Sequence, residues 1–325
     1  MIRKLVLLLV SIIMIFLTSC GEKKIEKPDY VIVIHGGAGT IDKKDLSKEK
    51  EAQYIEKLTE SLNSGKNILA KGGSAIDAVE AAIRVMEDSP LFNAGKGSVF
   101  NELGQNEMDA SIMDGNTLKA GAVAGVRHIK NPITAAKKVM TESPHVLLIG
   151  NGAEKFAREH GCEIEDSSYF FDQWRYDQFL KAKAEKEHGT VGAVALDKQG
   201  NLAAGTSTGG MTYKMAGRVG DSPVIGAGTY ANNKTCAVSC TGQGEYFMRD
   251  VVAYDISALM DYKGWPVERA CREVVFTKLN AQKAAGGLIA LDKNGTFEMM
   301  FNTSGMYRGY ATSDGRMEVM LYGEK

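Results

Sequence analysis

A β-branched run, Y-V-I-V-I at residues 30–34, leads without a polar break into H-G-G-A-G at 35–39. Crowded apolar residues predict a buried strand, and the glycines after it predict a turn where the backbone lies bare. The period then changes. From 47 to about 70, Tyr54, Leu58, Leu62 and Ile68 fall near one face of a helix. Over 74–87, Ser74 is placed to cap a second helix, and Ala75, Ala78, Val79, Ala82, Ile83 and Met86 recur at the helical period of about 3.6. Small residues dominate that face, which predicts close packing on a sheet.

Strand-like runs at 109–113 and 120–126 flank a D-G-N turn at 114–116 and predict a hairpin. A helix follows at about 132–140, with Pro132 early in it, and then an apolar strand at 145–149. Residues 166–188 break the alternation: an aromatic stretch passes into K-A-K-A-E-K-E-H, which reads as a solvated segment without a core of its own. Strand character resumes at 190–196 and 202–208, a second hairpin, and again at 235–239, 287–291 and 296–301, with helices at about 246–260 and 266–282. Two clusters of strands with helices outside them predict a layered α/β or α+β domain interrupted by one polar loop.

The first twenty residues depart from this pattern. Arg3 and Lys4 precede an apolar run over 5–17 that ends L-T-S-C at 17–20. The run is short against the roughly 20 residues a membrane-spanning helix needs, and it predicts an export signal whose ending resembles a bacterial lipobox. The expectation is a signal peptide over 1–20, a mature chain beginning at a lipidated Cys20, and a charged tether over 21–29. The protein would then be exported and held at the periplasm or cell envelope by its lipid alone.

Charge changes the picture by exclusion. The chain carries 39 Lys plus Arg against 40 Asp plus Glu, a formal charge of −1, so no long-range field gathers nucleic acid. Cys162, Cys236, Cys240 and Cys271 lack metal-site spacing and are either free thiols or disulfide partners in an oxidising compartment. His35, His128, His145, His160 and His188 are scattered, with no H-E-x-x-H and no G-x-S-x-G anywhere. The glycines at 36–39 lack the Lys-Ser/Thr of a phosphate loop, so neither a nucleotide nor any catalytic cofactor is expected.

The informative place is the junction where the polar stretch ends in His188-Gly189 and a core strand begins with Thr190-Val191-Gly192. A threonine there is by itself a good strand former. If the bond before it were cut, Thr190 would present a hydroxyl nucleophile beside a free α-amine of reference pKa about 7.7–8.0, able to take the hydroxyl's proton near neutral pH.

With that junction in view, the chain resembles the plant-type asparaginase and isoaspartyl peptidase family of N-terminal nucleophile hydrolases. The likeness runs through H-G-G-A-G at 35–39, F-N-A-G at 92–95, M-D-G-N at 113–116, G-T-V-G at 189–192, T-S-T-G-G at 206–210, G-R-V-G-D-S at 217–222, S-C-T-G-Q-G-E at 239–245 and F-N-T-S-G-M at 301–306. It implies an α+β four-layer αββα sandwich, self-cleaved into an α subunit (30–189) and a β subunit (190–325), assembled as a dimer of αβ heterodimers. By the same resemblance Thr190 is the nucleophile, Thr208 its supporting threonine, Thr241 and Gly242 the oxyanion site, and Asn93 a hydrogen-bonding neighbour. Arg218 and Asp221 would grip the substrate's carboxylate and ammonium, with Thr241 and Gly244 beside them. Backbone carbonyls of Met86, Glu87, Ser89, Phe92, Ala94 and Lys96 would hold a structural sodium ion.

The implied activity is hydrolysis of β-aspartyl dipeptides and L-asparagine. Glycosylasparaginase is the near alternative, although its junction usually carries Asp where this chain has Gly189. A lipid-anchored binding protein that has lost activity is the remote one. The loop over 169–189 is shorter than in several relatives, and an export leader is unusual for the family.

Overall fold

The computed structural model describes residues 27–44, 46–181 and 189–323, so the expected signal peptide lies outside the described residues. Along the chain the strands are β1 (Val31–Gly39), β2 (Met108–Asp114), β3 (Ala120–Val126), β4 (Leu147–Ile149), β5 (Val191–Leu196), β6 (Leu202–Thr208), β7 (Thr229–Ala231), β8 (Cys236–Gly242), β9 (Gly286–Asp292), β10 (Phe297–Phe301), β11 (Gly305–Thr312) and β12 (Met317–Tyr322). The helices are α1 (Lys48–Ala70), α2 (Ala75–Glu87), α3 (Pro132–Glu142), α4 (Gly150–Glu159), α5 (Gln173–Lys181), α6 (Gly244–Asp250), α7 (Val252–Lys263) and α8 (Val267–Arg272), the last running on into a wider π turn, Glu273–Leu279.

An eight-stranded sheet in the order β12-β11-β1-β5-β6-β2-β3-β4 faces a four-stranded one in the order β10-β9-β8-β7. Residue alternation along β1 divides the layers. Ile32 and Ile34 point outward to Leu58, Val79 and Ile83 of α1 and α2, while Val31 and Val33 point inward to meet Ile289 and Leu291. On the far side, Val238, Cys240 and Leu288 pack against Phe247, Ile256 and Val274. The result is the four-layer αββα sandwich of an α+β fold. Strands covered on both faces can be apolar throughout, as β5 is, whereas β6 ends in Thr206, Ser207 and Thr208, all buried and hydrogen-bonded.

Several elements differ from the sequence expectation. The glycine-rich 35–39 stretch is not a turn: β1 continues through it, with a bulge between His35 and Gly37 that lets two residues face one on β11. The strand expected at 145–149 is reduced to β4, which lies at the sheet's edge with Leu147 and Ile149 exposed. The aromatic stretch after 166 is not a coreless loop. It includes α5, and Phe171, Tyr176 and Phe179 gather around Phe100 with ring centroids 5.6–6.1 Å away. Residues 182–188 lie outside the described ones. Cys162, Cys236, Cys240 and Cys271 are free thiols.

Candidate active site

Gly189 and Thr190 stand at the mouth of β5, and the hairpin to β6 lays Thr208 beside them. The Thr190 hydroxyl donates to Thr208 Oγ1 at 3.1 Å, and Thr208 Oγ1 in turn donates to the Gly189 carbonyl at 2.9 Å. Asn93 Nδ2 reaches the same carbonyl at 2.8 Å and the Gly210 carbonyl at 2.7 Å. Its own Oδ1 accepts from Val99 N at 3.0 Å, while Gly210 N donates to Thr208 Oγ1 at 2.9 Å. The carbonyl of the junction peptide is therefore polarised by two side-chain donors, and a hydroxyl lies beside it.

Beneath the junction is a group that sequence reasoning quoted in a motif but gave no role. His35, fully buried, places Nδ1 3.2 Å from the Thr190 carbonyl and Nε2 2.9 Å from Ser239 Oγ. Burial pulls the imidazole down to about 3, so the ring is neutral. A carbonyl can only accept, so Nδ1 carries the proton and Nε2 accepts from Ser239. The chain of hydroxyls continues to Thr206 at 2.7 Å and Thr229 at 2.5 Å. Gly37 sits at φ +112°, a conformation that favours glycine, and a Cβ there would fall 3.4 Å from Gly189 Cα and Thr190 N, so the H-G-G bulge runs close beside the junction.

Gly192 makes this arrangement possible. A Cβ there would fall 2.0 Å from Ser239 Oγ and 2.3 Å from His35 Nε2. Gly192→Ala is expected to lower stability by about 1–3 kcal/mol through overpacking. Gly152→Ala, on α4 with nothing within 4 Å, is expected to be neutral. Denaturant midpoints of the two variants check this, and equal midpoints would mean the network yields freely.

The second cluster forms where the loop after Thr212 meets the N-terminus of α6. Asp221 is buried, and its Oδ2 has no hydrogen-bond partner among the described residues. Burial pushes its carboxyl up to about 7. A Cβ on Gly244 would meet Asp221 Oδ1 at 2.8 Å and Arg218 Nη2 at 3.0 Å, so the three residues enclose one small space. Arg218 is occupied: its Nε and Nη2 both donate to Glu245 at 2.9 Å, a bidentate pair with a carboxylate that is half exposed. Glu245 takes both arms of the Arg218 fork, and only its place at the end of the S-C-T-G-Q-G-E motif could have singled it out.

Thr241 and Gly242 end β8. Thr241 Oγ1 accepts from Ala38 N at 3.3 Å, and Gly242 turns at φ +145° with no room for a side chain between Ala285 O and Phe247. Gly242, Asn93 and Gly189 all line one open cleft.

The expected sodium residues form the loop from the end of α2 to Lys96, which also carries Asn93. Carbonyls crowd its interior: Glu87 O lies 2.4 Å from where a Cβ of Gly95 would be, and Phe92 O 2.2 Å from that of Gly97. Oxygen donors of this kind suit a hard cation. The Phe92 carbonyl also accepts from Ala94 N at 2.9 Å.

A family model described as Asparaginase matches residues 28–321. The isoaspartyl peptidase of Escherichia coli (strain K12) is 51% identical over 310 residues, covering 91% of this chain and 97% of its own length. That of Salmonella typhimurium is 53% identical over 298 residues, 86% of this chain and 95% of its own. The probable isoaspartyl peptidase/L-asparaginase 2 of Arabidopsis thaliana is 42% identical over 326 residues, 90% and 99%. These findings correct one expectation. The exported, membrane-anchored location is overturned, because the relatives are mostly cytosolic enzymes from bacteria, plants and animals. Among the described residues no helix is long and apolar enough to cross a membrane. The leader pattern is a local signal at residues 1–20, and a location drawn from it has no support in the body of the protein.

Proposed function

The chain belongs to the asparaginase family, and from that premise we propose that it hydrolyses β-aspartyl dipeptides and L-asparagine after cutting its own backbone between Gly189 and Thr190. The carrying observation is the junction carbonyl, held between Asn93 Nδ2 and Thr208 Oγ1 with the Thr190 hydroxyl bonded to Thr208. In self-cleavage Thr190 Oγ1 adds to the Gly189 carbonyl carbon, and the two donors receive the charge that develops on oxygen. The amide nitrogen leaves with the hydroxyl's proton, giving an ester that water opens. Gly189 ends as a carboxylate and Thr190 as a free amine.

In turnover the new amine takes the Thr190 hydroxyl's proton, and Oγ1 attacks the side-chain carbonyl of asparagine or the isopeptide carbonyl. Thr241 Oγ1 accepts from Ala38 N, which leaves its own proton to give to the oxyanion alongside Gly242. Ammonia or the second amino acid departs, and water releases aspartate. Asp221, buried with a free acceptor, suits the substrate's ammonium, and Gly244 closes that pocket. Arg218 takes the α-carboxylate, displacing Glu245 from its guanidinium.

The same reading has residues 30–189 as the α subunit and 190–325 as the β subunit, paired as a dimer of αβ heterodimers. A sodium ion on the carbonyls of Met86, Glu87, Ser89, Phe92, Ala94 and Lys96 would brace the loop that carries Asn93. The chemistry itself uses no cofactor. Gly189, where a glycosylasparaginase carries Asp, weighs against that alternative.

β-Asp-Leu, asparagine and glycosylated asparagine assayed side by side are expected to show turnover of the first two. Turnover of glycosylated asparagine alone would overturn the assignment.

A further inference from the structure

Beside the junction opens a cleft of about 1380 Å³ whose floor includes Asn93, Gly189 and Gly242. Arg218, Asp221 and Gly244 are not part of its lining. The substrate's aspartyl head thus has its own enclosure, and the cleft lies on the other side of the bond to be broken. Its wall is aromatic. Tyr54 stacks on Tyr307 with centroids 4.2 Å apart at 15°, and is pinned by its hydroxyl to the Leu91 carbonyl at 3.1 Å. Trp174, half exposed, completes the wall.

Lys50, in the first turn of α1, reaches over this wall with Nζ 5.9 Å from the Trp174 ring and 6.0 Å from that of Tyr54. Among the described residues it has no carboxylate partner, and Asp42 across the cleft is paired with Lys44. Trp174 stands in the first turn of α5. Its helix, α5, is anchored by Phe171, Tyr176 and Phe179 on Phe100, and by Phe179 against Tyr213 at 5.6 Å, so it keeps its seat once the Gly189–Thr190 bond is broken.

The geometry points to a subsite for the leaving residue, in which Lys50 holds the free α-carboxylate of X in β-Asp-X and the Tyr54, Tyr307 and Trp174 wall takes its side chain. This rests on the hydrolase reading above and deepens it. The substrates it selects are dipeptides with a free terminal carboxylate and an apolar or aromatic X. A peptide bond or amide at that terminus removes the charge Lys50 attracts. Asparagine, whose leaving group is ammonia, never reaches the subsite.

The test compares β-Asp-Phe, β-Asp-Phe-amide and asparagine on the processed wild type and on Lys50→Met, an intermediate-exposure position on a helix surface. Wild type is expected to prefer the acid over the amide by about five- to tenfold in kcat/KM, chiefly through KM. Lys50→Met is expected to lose that preference and keep its activity on asparagine. Trp174→Ala is expected to raise KM for β-Asp-Phe more than for β-Asp-Gly. An undiminished acid preference in Lys50→Met, or equal losses on asparagine and the dipeptide, overturns the subsite while the hydrolase stands. A wild type that turns over none of the three overturns the hydrolase and the subsite together.

Discussion

Thr190→Ala is expected to run as a single chain on a denaturing gel, where the wild type runs as two, and to lose hydrolysis by on the order of 10⁴-fold or more. Alanine removes the hydroxyl that adjoins the carbonyl which Asn93 and Thr208 polarise. The same substitution leaves β5 intact, so the variant folds and the loss is chemical. Thr190→Ser keeps an attacking oxygen and is expected to yield two fragments, with reduced turnover. Mass spectrometry of the fragments checks the cut: the smaller must begin at residue 190. A fully active Thr190→Ala, or an active wild type with that bond intact, would falsify the mechanism.

Asp221→Asn is expected to lower kcat/KM for both substrates by about 10²- to 10³-fold, since a buried charge pair loses one partner. Its pH behaviour separates this from a structural defect. Burial raises the Asp221 carboxyl to about 7, so wild-type kcat/KM falls as pH drops through that value and the carboxylate that receives the ammonium is protonated. In the variant, the acid limb reflects the Thr190 amine alone. Stability runs the opposite way. The folded state holds a proton on Asp221 that the unfolded chain has already released between pH 3.8 and about 7, so this group's contribution is present at low pH and is lost as pH rises. Asp221→Asn should therefore lose less stability than wild type between pH 5 and 8, by on the order of 1–3 kcal/mol. Parallel stability curves in urea would refute the carboxyl's assignment.

What could be read from the sequence was what a residue and its near neighbours decide. Ser74 caps α2 with its own hydroxyl on Asp77 N at 3.2 Å, and the β5–β6 hairpin closes over a turn visible in composition. The family was legible for the same reason, because its motifs are short runs, among them those that carry Thr190, Thr208, Arg218 and Asp221. Distant partners decided the rest. β11 and β12 went unread: they form a local hairpin, but that hairpin is built into the sheet by pairing β11 with β1, nearly the whole chain away. The helix expected over 246–260 is broken at Val251, which adopts φ +50°, because Ala253 N and Tyr254 N are taken by the Ala227 and Gly226 carbonyls. The aromatics after 166 were taken for a solvated tract because Phe100 and Tyr213, which shelter them, lie far off along the chain. His35 is a neighbour of Thr190 only in three dimensions.

His35 holds Thr190 by its own carbonyl, on the side that would remain after the proposed cut, not by the peptide that the cut would destroy. Severing a chain normally frees both new ends to wander, and a freshly released terminus would have to be recaptured on every maturation. Here the anchored carbonyl lies downstream of the proposed incision, so the terminal amine and hydroxyl would emerge already aimed.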